Sequence, residues 1–174
     1  MRKVFVGLCM FFVCAGLAAA QNKVDVQWKC AKPAAQHSVD VGDQPGHAFS
    51  ISQFKCNATK GEMEGVKQKD GAGAQFDEAT GNASKFHGIY VETLANGDKV
   101  NYAYDGSANM KGGAIADATN KWWSTKGTGK FAGIKANGTC KGTGAADGSV
   151  TWDCAGTYTA GAAAPAKSAP KKKS

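Results

Sequence analysis

Hydrophobic residues recur at every second position along most of residues 21–159, and clusters of Gly, Asn and Asp separate the runs. A period of two is typical of β-strands with one buried and one exposed face. The clearest run places Val150, Trp152 and Cys154 on one face, opposite mostly polar side chains. No stretch in this part of the chain has a convincing helical period, so we predict about eight to ten short antiparallel strands.

Further runs show the same alternation, at residues 24–30, 49–51, 100–104 and 134–140. The run at 86–94 carries apolar residues on both faces, which favours a central strand. Hairpin turns are predicted where Asn-Gly or Asp-Gly pairs supply residues with positive φ. These are Asp70-Gly71, Asn96-Gly97 and Asp147-Gly148.

An antiparallel sheet of this size must hide its edges, most simply by closing into a barrel or by pairing two sheets. The chain contains 23 glycines, which suit the sharp bends and close backbone approaches of a barrel. We therefore predict an all-β domain over residues 21–159: a closed or nearly closed, up-and-down β-barrel of about eight strands.

Residues 1–20 read as a secretory signal peptide, with Arg2 and Lys3 before an apolar run and Ala18-Ala19-Ala20 as the cleavage site. The apolar run is shorter than a transmembrane helix requires. We expect a soluble mature chain that begins near Gln21 and is exported to the periplasm or the extracellular medium.

Four cysteines follow the signal peptide, an even set in a chain bound for an oxidising compartment. Of the three possible pairings we favour Cys30–Cys56 with Cys140–Cys154, because each pair then closes one local segment and the second flanks a turn. No two of these cysteines have the short spacing of a zinc motif, so we predict neither a metal site nor a cofactor.

The net charge of +7 lies mainly at the ends of the chain. Residues 21–160 hold 15 Lys, no Arg and 14 acidic residues. Because Arg is the usual ligand for phosphates and guanine, we expect no specific nucleic-acid binding. Residues 160–174 form a basic tail of Ala, Pro, Gly, Lys and Ser that we predict to be disordered. It is either a solubilising appendage or a weak contact with anionic envelope material.

Residues 127–135 read Gly-Thr-Gly-Lys-Phe-Ala-Gly-Ile-Lys, and Gly138 follows. This segment resembles a strand of the allene oxide cyclase and dirigent-like barrels. Downstream, Gly148, Trp152 and residues 156–158 resemble the closing strand of small exported bacterial proteins described with that barrel. The resemblance covers about residues 125–159 and implies an eight-stranded calycin-type barrel with a cavity open at one end. It transfers no catalytic residue.

Candidate ligand-binding residues follow from strand parity, that is, from which of the two strand faces each side chain occupies. Glu92 shares a face with Tyr90, and a carboxylate on an apolar face is either paired or functional. Glu92 and Tyr90 therefore line a cavity unless this face is the outer one. Trp122 and Trp123 are adjacent, so one should pack inward while the other faces solvent or an opening, where it could contact a ligand or partner.

The three histidines give weaker evidence for a functional site. His87 faces away from Glu92, so the two should not form a dyad. His37 and His47 flank an acidic loop that could form a metal site or an acid/base site, but we favour His47 as a strand-start residue that is hydrogen-bonded to that loop. The sequence contains no nucleophile elbow, zinc-protease motif or phosphate-binding loop.

The leading hypothesis is an exported, non-catalytic barrel that carries a small apolar ligand or is merely packed. The alternatives are a cyclase-like or isomerase-like enzyme acting in the cavity, and an envelope interaction protein that uses its basic tail. A cavity of about 300 Å³ or more with convergent polar groups would favour binding or catalysis, whereas a lumen filled by aromatic rings would favour a structural role. The sequence predicts no oligomeric state.

Overall fold

Ten β-strands account for most of the chain in a computed structural model that describes residues 21–112 and 114–161. The predicted signal peptide and nearly all of the predicted tail lie outside the described residues. In chain order the strands are β1 Asn22–Cys30, β2 Ala35–Asp40, β3 His47–Lys60, β4 Glu62–Met63, β5 Val66–Thr80, β6 Ala83–Leu94, β7 Lys99–Lys111, β8 Ala114–Gly127, β9 Lys135–Gly144 and β10 Val150–Thr159.

Eight of these strands form a closed antiparallel barrel, which confirms the predicted fold class. The order around the ring is β1, β3, β5, β6, β7, β8, β9 and β10, and β10 pairs with β1 again. The pairing of β3 with β5 completes the ring. Because most neighbours in space are also neighbours in sequence, short turns can join them, as the regular turn signals predict.

The two remaining strands lie outside the ring. β1 and β2 pair with the same edge of β3 in succession. β1 pairs with residues 56–60 of β3 and ends at Cys30, and β2 pairs with residues 48–53. All six residues of β2 are exposed. β4 makes a two-residue hairpin with β5. Within residues 21–112 and 114–161, no helix has the length and hydrophobicity required to cross a membrane.

Both predicted disulfides are present, and each joins neighbouring strands. Cys30 on β1 pairs with Cys56 on β3, and Cys140 on β9 pairs with Cys154 on β10. In each case the two cysteines are direct partners across the ladder and share the inner face. The bond between Cys140 and Cys154 spans 14 residues, a loop length for which chain entropy gives about 3 kcal/mol of stabilisation.

One end of the barrel is closed by a short 3₁₀-helix, Gly129–Phe131, in the connection between β8 and β9. Phe131 is buried there together with Met63, Leu94 and Val100. The Asp98 carboxylate accepts a hydrogen bond from the Lys130 backbone N–H at 3.0 Å, which fixes the helix against the turn between β6 and β7. This closed end therefore has an apolar floor.

Large aromatic rings fit inside the barrel because glycines stand opposite them. A Cβ atom added at Gly73 would lie 2.5 Å from the Phe54 ring, and one at Gly88 would lie 2.4 Å from the Tyr104 hydroxyl. Gly138 and Gly142 make similarly close approaches to tryptophan rings. The inward glycines thus leave the space that the rings occupy, in addition to allowing the strands to bend.

Three sequence predictions are corrected. Asp70-Gly71 lies inside β5, next to a bulge, and is not a turn; the turn after β5 is at residues 81–82. Residues 128–134 form the turn and 3₁₀-helix of the closed end and not a strand. The run at 86–94 is not covered on both faces, because a barrel wall has one inner face only. On its outer face Ile89 remains 49% exposed.

The glycine–aromatic contacts predict that substitutions of a glycine and of its aromatic partner have non-additive effects on stability. In Gly142→Ala the new methyl group would lie 2.7–2.9 Å from three atoms of the Trp152 ring and from no other group at that distance. We expect this change to lower the free energy of unfolding by about 1–3 kcal/mol, as overpacking does. In the Trp152→Ala background the same change should have little effect, and urea unfolding of the four proteins in the cycle measures the coupling.

Thr143→Ala is the matched control, since Thr143 is the next residue on β9 and is exposed on the outer face. An equal loss of stability from Gly142→Ala in both backgrounds would show that Trp152 does not explain this glycine.

Candidate functional site

The barrel encloses a cavity of about 210 Å³ in its lumen. Its walls are mainly apolar, and seven aromatic side chains line it: Trp28, Phe54, Tyr90, Tyr102, Tyr104, Trp122 and Trp152. The rings contact one another. Phe54 stacks on Tyr90 at a centroid distance of 6.1 Å, and Trp28 meets Tyr90 edge to face at 5.3 Å. The rings therefore fill part of the lumen and form the walls of what remains, and the cavity is smaller than the roughly 300 Å³ set above as favouring binding or catalysis.

The cavity runs from an exposed rim towards the closed end. Its lining includes Ala31, Pro33 and Gly148, which lie in the loops at the end opposite the 3₁₀-helix. Ala31 is exposed, whereas the lining residues Gln68 and Glu92, near the closed end, are buried. A ligand entering at the rim would thus pass apolar walls before it reaches polar groups.

Glu92 is the main polar feature of the deep end. Its side chain is fully buried, on the inner face of β6. The Tyr102 hydroxyl donates a hydrogen bond of 2.9 Å to Glu92 Oε2. The second carboxyl oxygen, Oε1, has no hydrogen-bond partner among the described residues.

Burial sets the ionisation of this group. Desolvation raises the pKa of Glu92 from its usual 4.5 to about 7, and the neighbouring Tyr102 hydroxyl and Gln68 amide oppose that rise only in part. Burial, followed by the charge of Glu92, also raises the pKa of Tyr102 and of Tyr90. Both tyrosines therefore keep their protons, and Glu92 is the only acid of the three that titrates near neutral pH.

Five buried polar atoms that lack hydrogen-bond partners within the described chain belong to residues lining this cavity. They are Gln68 Oε1, Tyr90 Oη, Glu92 Oε1, Asn120 Oδ1 and Trp122 Nε1. Buried polar groups in native proteins are nearly always hydrogen-bonded, and each unpaired one costs about 1–3 kcal/mol. Five in one lumen is the pattern of a site whose partners come from outside the chain.

A second polar group nearer the rim is internally paired. The Tyr104 hydroxyl donates to Gln75 Oε1 at 3.0 Å, and Gln75 Nε2 donates to Asp77 Oδ1 at 2.8 Å. Burial raises the pKa of Asp77, and its hydrogen bond from Gln75 opposes that rise. This barrel therefore satisfies some of its inward-facing polar groups by itself, whereas the five atoms named above remain unpaired within the described chain.

Three of the four predicted ligand-binding residues meet at the cavity. Glu92, Tyr90 and Trp122 line it, so the face that they share with their neighbours is the inner one. Trp123 points outward and is 42% exposed, as expected for one of two adjacent strand residues. It does not line the lumen, and a contact with a partner stays a prediction.

Sequence reasoning missed Gln68, Tyr102 and Asn120. Tyr102 lies in a run whose alternation was recognised, and its facing position could have been found by pairing that run with residues 86–94 across the Asn96-Gly97 turn. Gln68 precedes a β-bulge at residues 68–70, which breaks the period of two that would have placed it inward. Asn120 carried no signal, because its polar neighbours hide the alternation.

The histidines lie away from the cavity. His47 begins β3, and its Nδ1 lies 2.6 Å from Asp43 Oδ1 while Nε2 faces Glu78 Oε1 at 3.5 Å. The hydrogen bond with Asp43 is the main cause of its raised pKa. This confirms the predicted strand-start role. His37 and His87 are exposed, and no cluster of metal-binding side chains occurs among residues 21–112 and 114–161.

Comparisons with known proteins add no assignment: neither the protein-family models nor the curated proteins include a match to this chain. The function must therefore be argued from the lumen itself.

The ionisation of Glu92 predicts how stability depends on pH. The folded protein holds this proton up to about pH 7, whereas the unfolded chain releases it near 4.5, so the wild type should lose stability as the pH rises through this window. Gln cannot titrate. The free energy of unfolding of Glu92→Gln, relative to wild type, should therefore rise by roughly 3 kcal/mol between about pH 4.5 and pH 8. Urea unfolding at a series of pH values measures this difference.

Glu62→Gln provides the control for the chemical change, because Glu62 is exposed at the same end of the barrel. A flat difference for Glu92→Gln would mean that Glu92 does not hold its proton in the folded protein.

Proposed function

We propose that this protein binds a small, largely apolar molecule in the lumen of its barrel and does so without catalysing a reaction. The observation that carries the proposal is that five unpaired, buried polar atoms belong to residues lining one incompletely filled cavity. An apolar body would rest against the aromatic walls, and one polar group would reach the atoms around Glu92.

The size of the cavity limits the ligand. Eight-stranded barrels have interiors just wide enough to be filled by side chains or to hold one small ligand. A cavity of about 150 Å³ accommodates benzene, and this lumen offers about 210 Å³. Drug-sized ligands occupy about 300 Å³ or more. The expected ligand is therefore a single ring or a short chain with one polar substituent.

A purely structural lumen would be built differently. Replacing both members of a buried polar pair by apolar groups is nearly neutral, whereas leaving a buried group unpaired is unfavourable. A barrel that only needed a packed core would be more stable with apolar residues in place of Glu92 and Gln68. Their presence in the deep end of the cavity supports a binding role.

We further propose that binding takes place after export. The leader-like residues 1–20 support this, and the two disulfides fit an oxidising compartment. In such a location a buried carrier site would protect its ligand from solvent.

One observation favours a second candidate, an isomerase-like or cyclase-like reaction in the same lumen. Glu92 combines a free carboxyl oxygen with a pKa of about 7, which suits a general acid or base. The ligand that co-purifies with the protein separates the two candidates. Under catalysis the wild type would retain the product and Glu92→Gln the unconverted substrate, whereas a carrier would retain the same molecule in both.

Blocking the lumen tests the binding function. Val150 faces the cavity from β10, and Thr151 is the next residue on the opposite face. We expect Val150→Trp to weaken the binding of small aromatic probes such as 4-methylphenol at least about tenfold, because the new ring occupies the cavity, while Thr151→Trp stays within about twofold of wild type. Quenching of tryptophan fluorescence measures this, since three of the four tryptophans line the lumen.

Native mass spectrometry of wild-type protein purified from its own host provides the complementary measurement. The proposal fails if no small molecule is retained there and no probe binds in the lumen, or if both tryptophan variants bind as the wild type does.

A further inference from the structure

One carboxyl group, that of Glu92, lines the cavity directly, and among the described residues no basic side chain does. The other inward-facing carboxylate described above, Asp77, is held by Gln75 nearer the rim and does not line the cavity. The ion pairs within the described residues all lie elsewhere. A buried carboxylate without a counter-charge is strongly unfavourable. A ligand that carries a positive charge would supply the missing partner.

The polar atoms next to Glu92 are suited to a hydrogen-bond donor. Glu92 Oε1 and Gln68 Oε1 are acceptors, and the Tyr90 hydroxyl can accept as well. Tyr90 lies two residues before Glu92 on the inner face of β6, and Gln68 on β5 pairs with Leu94, two residues after Glu92. An ammonium group has three N–H donors and no acceptor, so it matches this set.

The aromatic walls of the cavity also favour a positively charged ligand. Aromatic faces carry negative potential and attract cations, more strongly where water is excluded. Trp28 and Phe54 both contact Tyr90, and Tyr102 meets Trp122 edge to face at a centroid distance of 5.5 Å. These rings surround the apolar part of the cavity and lead to the buried carboxyl group.

We propose that the ligand is a small organic cation, an ammonium group on a single ring or short apolar body, with its charge against Glu92 in the deep end of the lumen. This inference rests on the proposed binding function and narrows it to one ligand class. An anionic ligand would be repelled both by the carboxylate and by the negative potential of the aromatic rings. A neutral alcohol would leave the carboxylate without its counter-charge.

Three probes of nearly equal size test the charge requirement: benzylamine, benzyl alcohol and benzoate. At about pH 7.5 we expect the wild type to bind benzylamine at least about tenfold more tightly than benzyl alcohol, and to bind benzoate most weakly. In Glu92→Gln the affinity for benzylamine should fall at least about tenfold, while that for benzyl alcohol stays within about threefold. Glu62→Gln, on the barrel exterior, should behave as the wild type does.

A measurement on the wild type alone makes the test independent of any variant's folding. At about pH 6 a large fraction of Glu92 is protonated, so seating an ammonium beside it should release a proton, and benzyl alcohol should release none. Calorimetric titrations in two buffers of different ionisation enthalpy count the protons released.

The outcomes separate this inference from the function on which it rests. If benzyl alcohol binds in the lumen as tightly as benzylamine, or if benzylamine binding releases no proton, the ligand class is wrong while the binding function stands. If none of the three probes binds and the protein from its host carries no small molecule, both proposals are overturned.

Discussion

The inner surface of an eight-stranded barrel has room for few large side chains, because strand number fixes the diameter of the lumen. This chain nevertheless directs seven aromatic rings into that lumen. It does so by placing glycines on the neighbouring strands as direct cross-strand partners, so that Phe54 lies over Gly73, Tyr104 over Gly88 and Trp152 over Gly142. Each of these glycines gives up the side chain that would otherwise fill the space of a ring. The high glycine content is therefore a packing requirement as well as a conformational one.

The same constraint explains how a cavity persists in so small a barrel. The aromatic rings lie against the glycine positions of the wall, and about 210 Å³ between them remains unfilled. Two disulfides, both on the inner face, hold β1 to β3 and β9 to β10, which are two of the eight strand interfaces of the ring. The 3₁₀-helix Gly129–Phe131 closes the opposite end from the rim. The packed rings, the two disulfides and the 3₁₀-helix together keep the Glu92 carboxyl group buried.

Strand parity accounts for most of what could be predicted. It identified the barrel class, and together with local spacing it selected the correct disulfide pairing. It also placed Glu92 and Tyr90 on one face and His87 on the other. Parity is lost at bulges, and the bulge at residues 68–70 concealed both Gln68 and the continuity of β5 through Asp70-Gly71. A turn signal inside a long strand could not be recognised locally, because the pairing of Asp70 with Asn57 and Thr93 is decided by distant parts of the chain.

The sequence by itself determined that side chains alternate between two faces, that the glycines and aromatic residues occur in the same runs, and that the cysteines are placed to pair locally. These are properties of single strands and of short chain separations. Only the tertiary structure decided which face turns inward, because closure of the ring sets that choice for all eight strands at once. It thereby made Glu92 a fully buried group with a free oxygen and left Trp123 on the surface. Burial is a property of the closed ring, and the chemistry of this lumen follows from burial.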